Sequence, residues 1–394
     1  MPQSPLLLYI HIPYCIHKCH YCDFNSHVRT QPDWLAYQQA LITELTHWSQ
    51  QQQYQNRKLH SIFFGGGTPS LAPASLIAKV LEHAQNLFGF EDNIEISLEA
   101  NPGTVDMQAF QGFYQAGINR LSMGVQSLEH RELQWLERIH GSDDVYQAFD
   151  AARNAGFNNI NLDFMYGLPH QTLKQWQQTL ASALQLNPEH LSCYQLTVEP
   201  HTKLATRHAS SPYKLPNDEA SLAFFQETRC KLASAGYQAY EISNFAKANH
   251  YCRHNDGYWL YHDYIGIGAG ASGKWDMQDG GTHRYSNIRT PEKYTAQAIQ
   301  TGSAINSDES LNLQQAAAEA VWVGLRAAAM AMSSLSSTPR CPIISFSCLG
   351  RRAVSTGSSP DRFCPLISRS RAIPGHAFNL TRSVAPCGTG FEPV

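Results

Sequence analysis

Charge is scarce in this sequence. Only 15% of its 394 residues are Asp, Glu, Lys or Arg, against the ~25% usual for soluble globular chains. The signs nearly cancel, with 29 basic and 32 acidic side chains and a net charge of −3. Bulk electrostatics therefore offers nothing to a polyanion, and no nucleic-acid partner is expected. Long apolar runs are missing as well. The apolar stretch nearest the start, Leu6 to Ile12, falls far short of the ~20 residues a membrane-spanning helix needs. No basic segment followed by a small-residue cleavage site precedes it. The expectation is a cytoplasmic protein whose length and 43% hydrophobic content allow a large core, in one large domain or two ordinary ones.

Cysteine is not scarce. Ten occur, and without a leader they point to reduced thiols and metal chemistry rather than a disulfide scaffold. Three stand together, Cys15, Cys19 and Cys22, in a C-x3-C-x2-C array. A fourth is lacking: Phe24 occupies the next expected place. Tetrahedral zinc usually takes four ligands from two separated pairs, although His11, His17 and His20 are at hand to complete such a site. Three thiolates on one short loop can instead hold three irons of a [4Fe–4S] cluster, leaving the fourth iron open to another ligand.

From residue 6 to about 196, β-rich runs alternate with amphipathic stretches of helical length. The runs are Leu6–Ile12, Leu59–Phe64, Ile94–Glu99, Arg120–Gly124, Asn159–Met165 and His190–Leu196. Helices are predicted at Trp34–Gln52, Ala74–Leu87, Val105–Ala116, Asp144–Ala155 and Leu173–Leu186. Six βα units imply a parallel sheet, either open and doubly wound or barrel-like, with ligands gathered beyond the C-terminal ends of the strands. The cysteine loop follows the first strand, and Gly65-Gly66-Gly67-Thr68 follows the second. Adjacent glycines let backbone come close to a ligand. Glu99, Gln126 and Asp163 fall near the ends of the next three strands, where one pocket could collect them, and Arg138 is expected on the helix after Gln126.

These motifs, with Tyr9-Ile-His-Ile-Pro-Tyr-Cys15, Leu98-Glu-Ala-Asn-Pro102, Tyr166-Gly-Leu-Pro169, Tyr240-Glu-Ile-Ser-Asn-Phe245 and His254-Asn-Asp-Gly-Tyr-Trp259, resemble the radical SAM family over residues 6 to about 275. Within it the chain is similar to the branch related to oxygen-independent coproporphyrinogen III oxidase, in particular its heme chaperones. The resemblance implies an α/β fold, an incomplete (β/α)6 barrel with a smaller C-terminal region. It implies a [4Fe–4S] cluster on Cys15, Cys19 and Cys22, and S-adenosylmethionine (SAM) at Tyr9, Tyr21, Gly66, Gly67, Thr68, Glu99, Gln126, Arg138 and Asp163. Reductive cleavage of SAM to methionine and a 5′-deoxyadenosyl radical would follow, with flavodoxin or ferredoxin as electron donor. His254, Asn255, Tyr258 and Trp259 match the HNxxYW motif associated with heme; read without the family, they make a packed aromatic corner. The implied partners are heme and heme-accepting proteins, with a membrane respiratory protein as acceptor. Phe24, where the oxidase carries a further Cys, favours the chaperone over porphyrin biosynthesis.

The expected domains are 1–198, the barrel core, and 199–326, an accessory region with a helix at Asp218–Ala235, a strand at Tyr237–Ile242, a Gly-rich passage at Tyr264–Gly273 and a helix at Leu311–Arg326. Residues 327–394 have no Lys, two acidic residues, seven Arg and twelve Ser. Such composition builds no convincing core and reads as a disordered tail joined by a change of reading frame. Its Cys341-Pro342 and Cys364-Pro365 resemble heme-ligating dipeptides of some regulatory proteins.

Overall fold

The structure, a computed structural model, describes residues 4–277 and 280–331. Apart from residues 327–331 the atypical tail, with both Cys-Pro dipeptides, lies outside the described residues. Six strands alternate with helices as the periodicity predicts: β1 (Leu6–Ile12), β2 (Leu59–Gly66), β3 (Phe90–Ala100), β4 (Arg120–Gln126), β5 (Ile160–Tyr166) and β6 (His190–Gln195). They lie side by side in that order, each parallel to the next. Every residue of β1 is buried, which is why it reads as a near-continuous apolar run; a parallel strand is covered on both faces. The sheet stays open, with its two ends unpaired, and forms the expected incomplete (β/α)6 barrel.

Helix starts follow local chemistry. Asp33 caps Trp34–Ser49 by accepting from the Ala36 N–H at 3.0 Å, and Asp106 caps Met107–Gln115 through Ala109 at 2.8 Å. Thr172 and Gln175 close a reciprocal capping box on Leu173–Gln185.

The sheet extends past residue 198 at both edges. Asp263–Ile267 adds a seventh parallel strand beside β1, followed outward by antiparallel Ser272–Asp276, Thr282–Asn287 and Ile305–Leu311. Beyond β6 lie antiparallel Asn244–Ala246 and Gln238–Ala239. The seventh strand escaped sequence reading because it runs into a glycine-rich passage that resembles loop. The strand expected at Tyr237–Ile242 is cut short after Ala239. Glu241 ends it by folding its carboxylate back onto the Ser243 N–H at 2.8 Å and the Asn244 amide at 2.6 Å. The last helix begins at Leu313, behind a second reciprocal box between Asn312 and Gln315, and continues past Arg326 to Ala331. Arg326 on this helix pairs with buried Glu241 and lies over the Trp259 ring at 4.5 Å. Among the described residues no helix is long and apolar enough to cross a membrane.

Candidate cluster and cofactor site

Pro13 ends β1, and the chain enters a loop closed at its neck by pairing of Tyr14–Cys15 with His27–Val28. The three thiols sit on this loop, and each is met from a different direction. The Thr68 hydroxyl donates to Cys15 Sγ at 3.4 Å, Arg138 Nη1 to Cys19 Sγ at 3.7 Å, and Cys22 Sγ lies 3.9 Å from Ser26 Oγ. Hydrogen-bond donors around the sulfurs are the outer shell that stabilises ligating thiolates. Burial raises the Cys15 thiol and pushes Cys22 to about 11, so both keep their protons until a metal displaces them. Among the described residues no three His, Cys, Asp or Glu side chains converge on a single-ion site. Three cysteines on one loop suit a polynuclear cluster, whose irons each take one thiolate.

The glycine motif presses against this loop. Gly66 ends β2 at φ +121°, where a Cβ would lie 2.5 Å from the His11 ring; one on Gly67 would meet the Tyr14 carbonyl oxygen at 2.7 Å and Cys15 Sγ at 3.0 Å. Only glycine lets these two backbones approach so closely. The Gly67 N–H donates to the Ile12 carbonyl at 2.8 Å, and the Gly66 N–H to Glu99 Oε2 at 3.0 Å.

Burial, with the nearby Asp163 charge second, raises the Glu99 carboxyl to about 8, against the Gly66 hydrogen bond. Asp163 is raised too, by burial, although Asn161 and Ser122 donate to it at 2.8 and 3.2 Å. Two half-buried carboxyls in one field favour keeping a proton between them, a feature concentrated at functional sites. Asp163 lies mid-strand in β5, deeper than the strand end expected for it. Gln126 is left-handed at φ +69°, at a register shift between β4 and β5. Such strain in a non-glycine residue is held by its surroundings and clusters at ligand sites. Arg138 is not on a helix. His130–Trp135 ends first, and left-handed Glu137 (φ +54°) turns the chain back. Arg138 Nη2 thereby donates to the Gly124 carbonyl at 2.8 Å, while its guanidinium lies beside Tyr21. Its Nε is buried with no acceptor. An orphaned guanidinium N–H beside Tyr21 and Cys19, at the same end of the sheet as the glycine edge and Glu99, fits a zwitterionic amino-acid ligand such as the methionyl end of SAM.

Residues 9–183 match the Radical SAM superfamily. The heme chaperone HemW of Haemophilus influenzae is 46% identical over 300 residues, covering 75% of this chain and 77% of that protein. HemW of Escherichia coli is 42% identical over 291 residues, covering 74% and 75%. The chain belongs to the radical SAM family, in its HemW branch. Among solved structures it resembles the E. coli coproporphyrinogen III oxidase HemN, a radical SAM enzyme, with a TM-score of 0.70 at 26% identity, covering 83% of this chain and 76% of that one.

The structure separates the HNxxYW residues from the cluster loop. His254 lies on a short helix, Arg253–Trp259, packed at the N-terminal ends of β2 and β3, with its backbone N–H donating to Glu95 at 3.3 Å. Its ring is 1% exposed, and both nitrogens are engaged, Nδ1 with Ser61 Oγ and Nε2 with Tyr258 Oη, each at 2.9 Å. Asn255 and Trp259 are half-buried on the same helix. A ring so committed offers heme iron no nitrogen, and His254 does not fit as an axial ligand in this arrangement. Tyr9, expected at SAM, is buried with its hydroxyl 2.9 Å from His11 Nδ1.

Two residues not expected at the SAM site, His11, read from sequence only as a possible zinc ligand, and Asn25, brace its loop and glycine strand. His11 Nε2 lies 2.8 Å from the Asn25 carbonyl. Asn25 in turn donates to the carbonyls of Ala269 and Arg289 at 2.8 and 2.9 Å, tying the cluster loop to the glycine-rich passage. The signal for His11 was present: it is the one basic polar residue in an otherwise apolar strand.

Proposed function

We propose that this chain is a heme chaperone that holds a [4Fe–4S] cluster on Cys15, Cys19 and Cys22, binds SAM along Gly66 to Thr68, Glu99, Gln126, Arg138 and Asp163, and passes heme to acceptor proteins, membrane respiratory proteins among them. The cluster with SAM would supply one-electron chemistry, fed by a flavodoxin or ferredoxin. The chain's own groups do the rest. Thr68 and Arg138 steady the sulfurs, and the raised Glu99 and Asp163 carboxyls keep the pocket from carrying two bare negative charges. The observation that carries the reading is the 46% and 42% identity to proteins named heme chaperones, together with Phe24 in place of the oxidase's further Cys.

The structural likeness to HemN favours a second reading, oxidative decarboxylation of coproporphyrinogen III. Anaerobically reconstituted protein distinguishes them. The chaperone binds heme stoichiometrically, seen in the Soret band, and leaves coproporphyrinogen unchanged. SAM-dependent formation of protoporphyrinogen without heme binding would reverse the assignment.

A further inference from the structure

A column of rings runs through the inside of the barrel from the HNxxYW motif to the cluster loop. His254 is lowest. Its ring stacks on Phe63 with centroids 5.2 Å apart and lies 6.4 Å from the Tyr9 ring. Tyr9 and Phe63 are 6.4 Å apart and belong to one buried cluster with Tyr240, Ala246, Cys252 and Ala271. Above them the Tyr9 hydroxyl meets His11 Nδ1, and His11 Nε2 meets the Asn25 carbonyl. A carbonyl only accepts, so Nε2 bears the hydrogen, Nδ1 is bare and the Tyr9 hydroxyl must donate to it. One tautomer of His11 is thereby fixed from below. The same ring fills the space beside Gly66, whose N–H holds Glu99. His11 thus sets the position of the far side of the cluster loop and of the glycine strand together.

We propose that His11 is a positioning residue of the cluster and SAM site, oriented by Tyr9, and that His254 is the footing of this column rather than an iron ligand of heme. A histidine that merely filled the core would brace whatever lay nearby. This one places its two hydrogen bonds along a single line from the motif helix to the loop that carries the thiols. The inference is independent of heme delivery: a parent protein that bound no heme would sink the function proposed above and leave the SAM measurements standing.

The test uses the full chain, reconstituted anaerobically, with iron content and thermal melting as controls. It reads SAM affinity by equilibrium dialysis, the change that SAM causes in the EPR spectrum of the reduced cluster, and heme stoichiometry from the Soret band. His11→Leu is expected to weaken SAM binding about tenfold, as loss of a buried hydrogen bond does, and to alter the SAM-dependent EPR change at normal iron content. His11→Gln, whose amide can still donate to the Asn25 carbonyl, restores most of both, which a purely space-filling role would not require. Tyr9→Phe gives a smaller loss of the same kind. His254→Leu keeps the parental heme stoichiometry and Soret position while weakening the SAM response. Should that variant fail to fold, Ser61→Ala removes only one partner of the ring and is expected to behave alike to a lesser degree. Parental SAM affinity and EPR response in His11→Leu would overturn the proposal. So would loss of heme with unchanged SAM binding in His254→Leu or Ser61→Ala.

Discussion

The two ends of the barrel treat their titratable side chains differently. At the C-terminal rim, Gly66 and Gln126 take left-handed backbone, burial pushes the Glu99 carboxyl up to about 8 and raises Asp163, and Arg138 Nε has no acceptor. At the other end His254 has each ring nitrogen hydrogen-bonded and an aromatic face covered. Strain and unspent hydrogen-bonding capacity persist only where the rest of the fold compensates. At the rim they adjoin the thiols and the glycine strand, whereas at the motif end His254 is fully engaged while its neighbour Trp259 Nε1 is buried without an acceptor and Tyr261 is left-handed.

Substitution can break this contrast. The largest effect belongs to the thiols: Cys15→Ser, Cys19→Ser or Cys22→Ser should each abolish the cluster, read as loss of bound iron and of the EPR signal, while the melting temperature of the apoprotein stays near the parental value. Gly67→Ala comes next. Its Cβ would press on backbone, the Tyr14 carbonyl, at 2.7 Å, costing about 1–3 kcal/mol in urea unfolding and lowering cluster occupancy. A parental stability would show that the rim yields more easily than described.

Glu99 sharpens the comparison through pH. Its folded value of about 8 lies above an unfolded value near ~4.3. The folded state therefore binds more protons across that window, and stability falls as pH rises from about 4.5 to 8. Glu99→Gln should flatten this slope and raise stability at the alkaline end relative to the acid end, measured as urea midpoints at both ends. An unchanged slope would mean that Glu99 is ionised in the fold. The smallest effect belongs to a solvent-exposed ion pair at the neck of the cluster loop. Arg29 pairs with Glu292 at 2.7 Å with both side chains largely in solvent, and Arg29→Ala should change stability by no more than about 0.5 kcal/mol.

Much of this was legible in sequence because it rests on local patterns. β1 came out to the residue since a doubly covered strand is apolar throughout, and the thiols and glycines were visible because their spacing alone carries chemistry. Arg138 was misplaced onto a helix because nothing local announces a left-handed Glu137. His254 was read as an available ligand because its partners, Ser61 and Tyr258, occupy it only once β2 and the motif helix meet. The seventh strand stayed hidden because its pairing with β1 joins residues more than two hundred positions apart, such as Leu6 with Asp263, and no periodicity reports such a contact. Asn25 was missed for the same reason, since Ala269 and Arg289 give it meaning.

The pairing of Arg326 with Glu241 sets a minimum length for this polypeptide. Glu241 is fully enclosed, and deleting its cationic partner leaves a solitary buried anion, which costs about 3–5 kcal/mol. Truncation just beyond position 326 spares that partner, whereas truncation a few residues earlier strands the anion. The shortest piece of this chain that keeps this pair therefore reaches the fourth turn of its final helix.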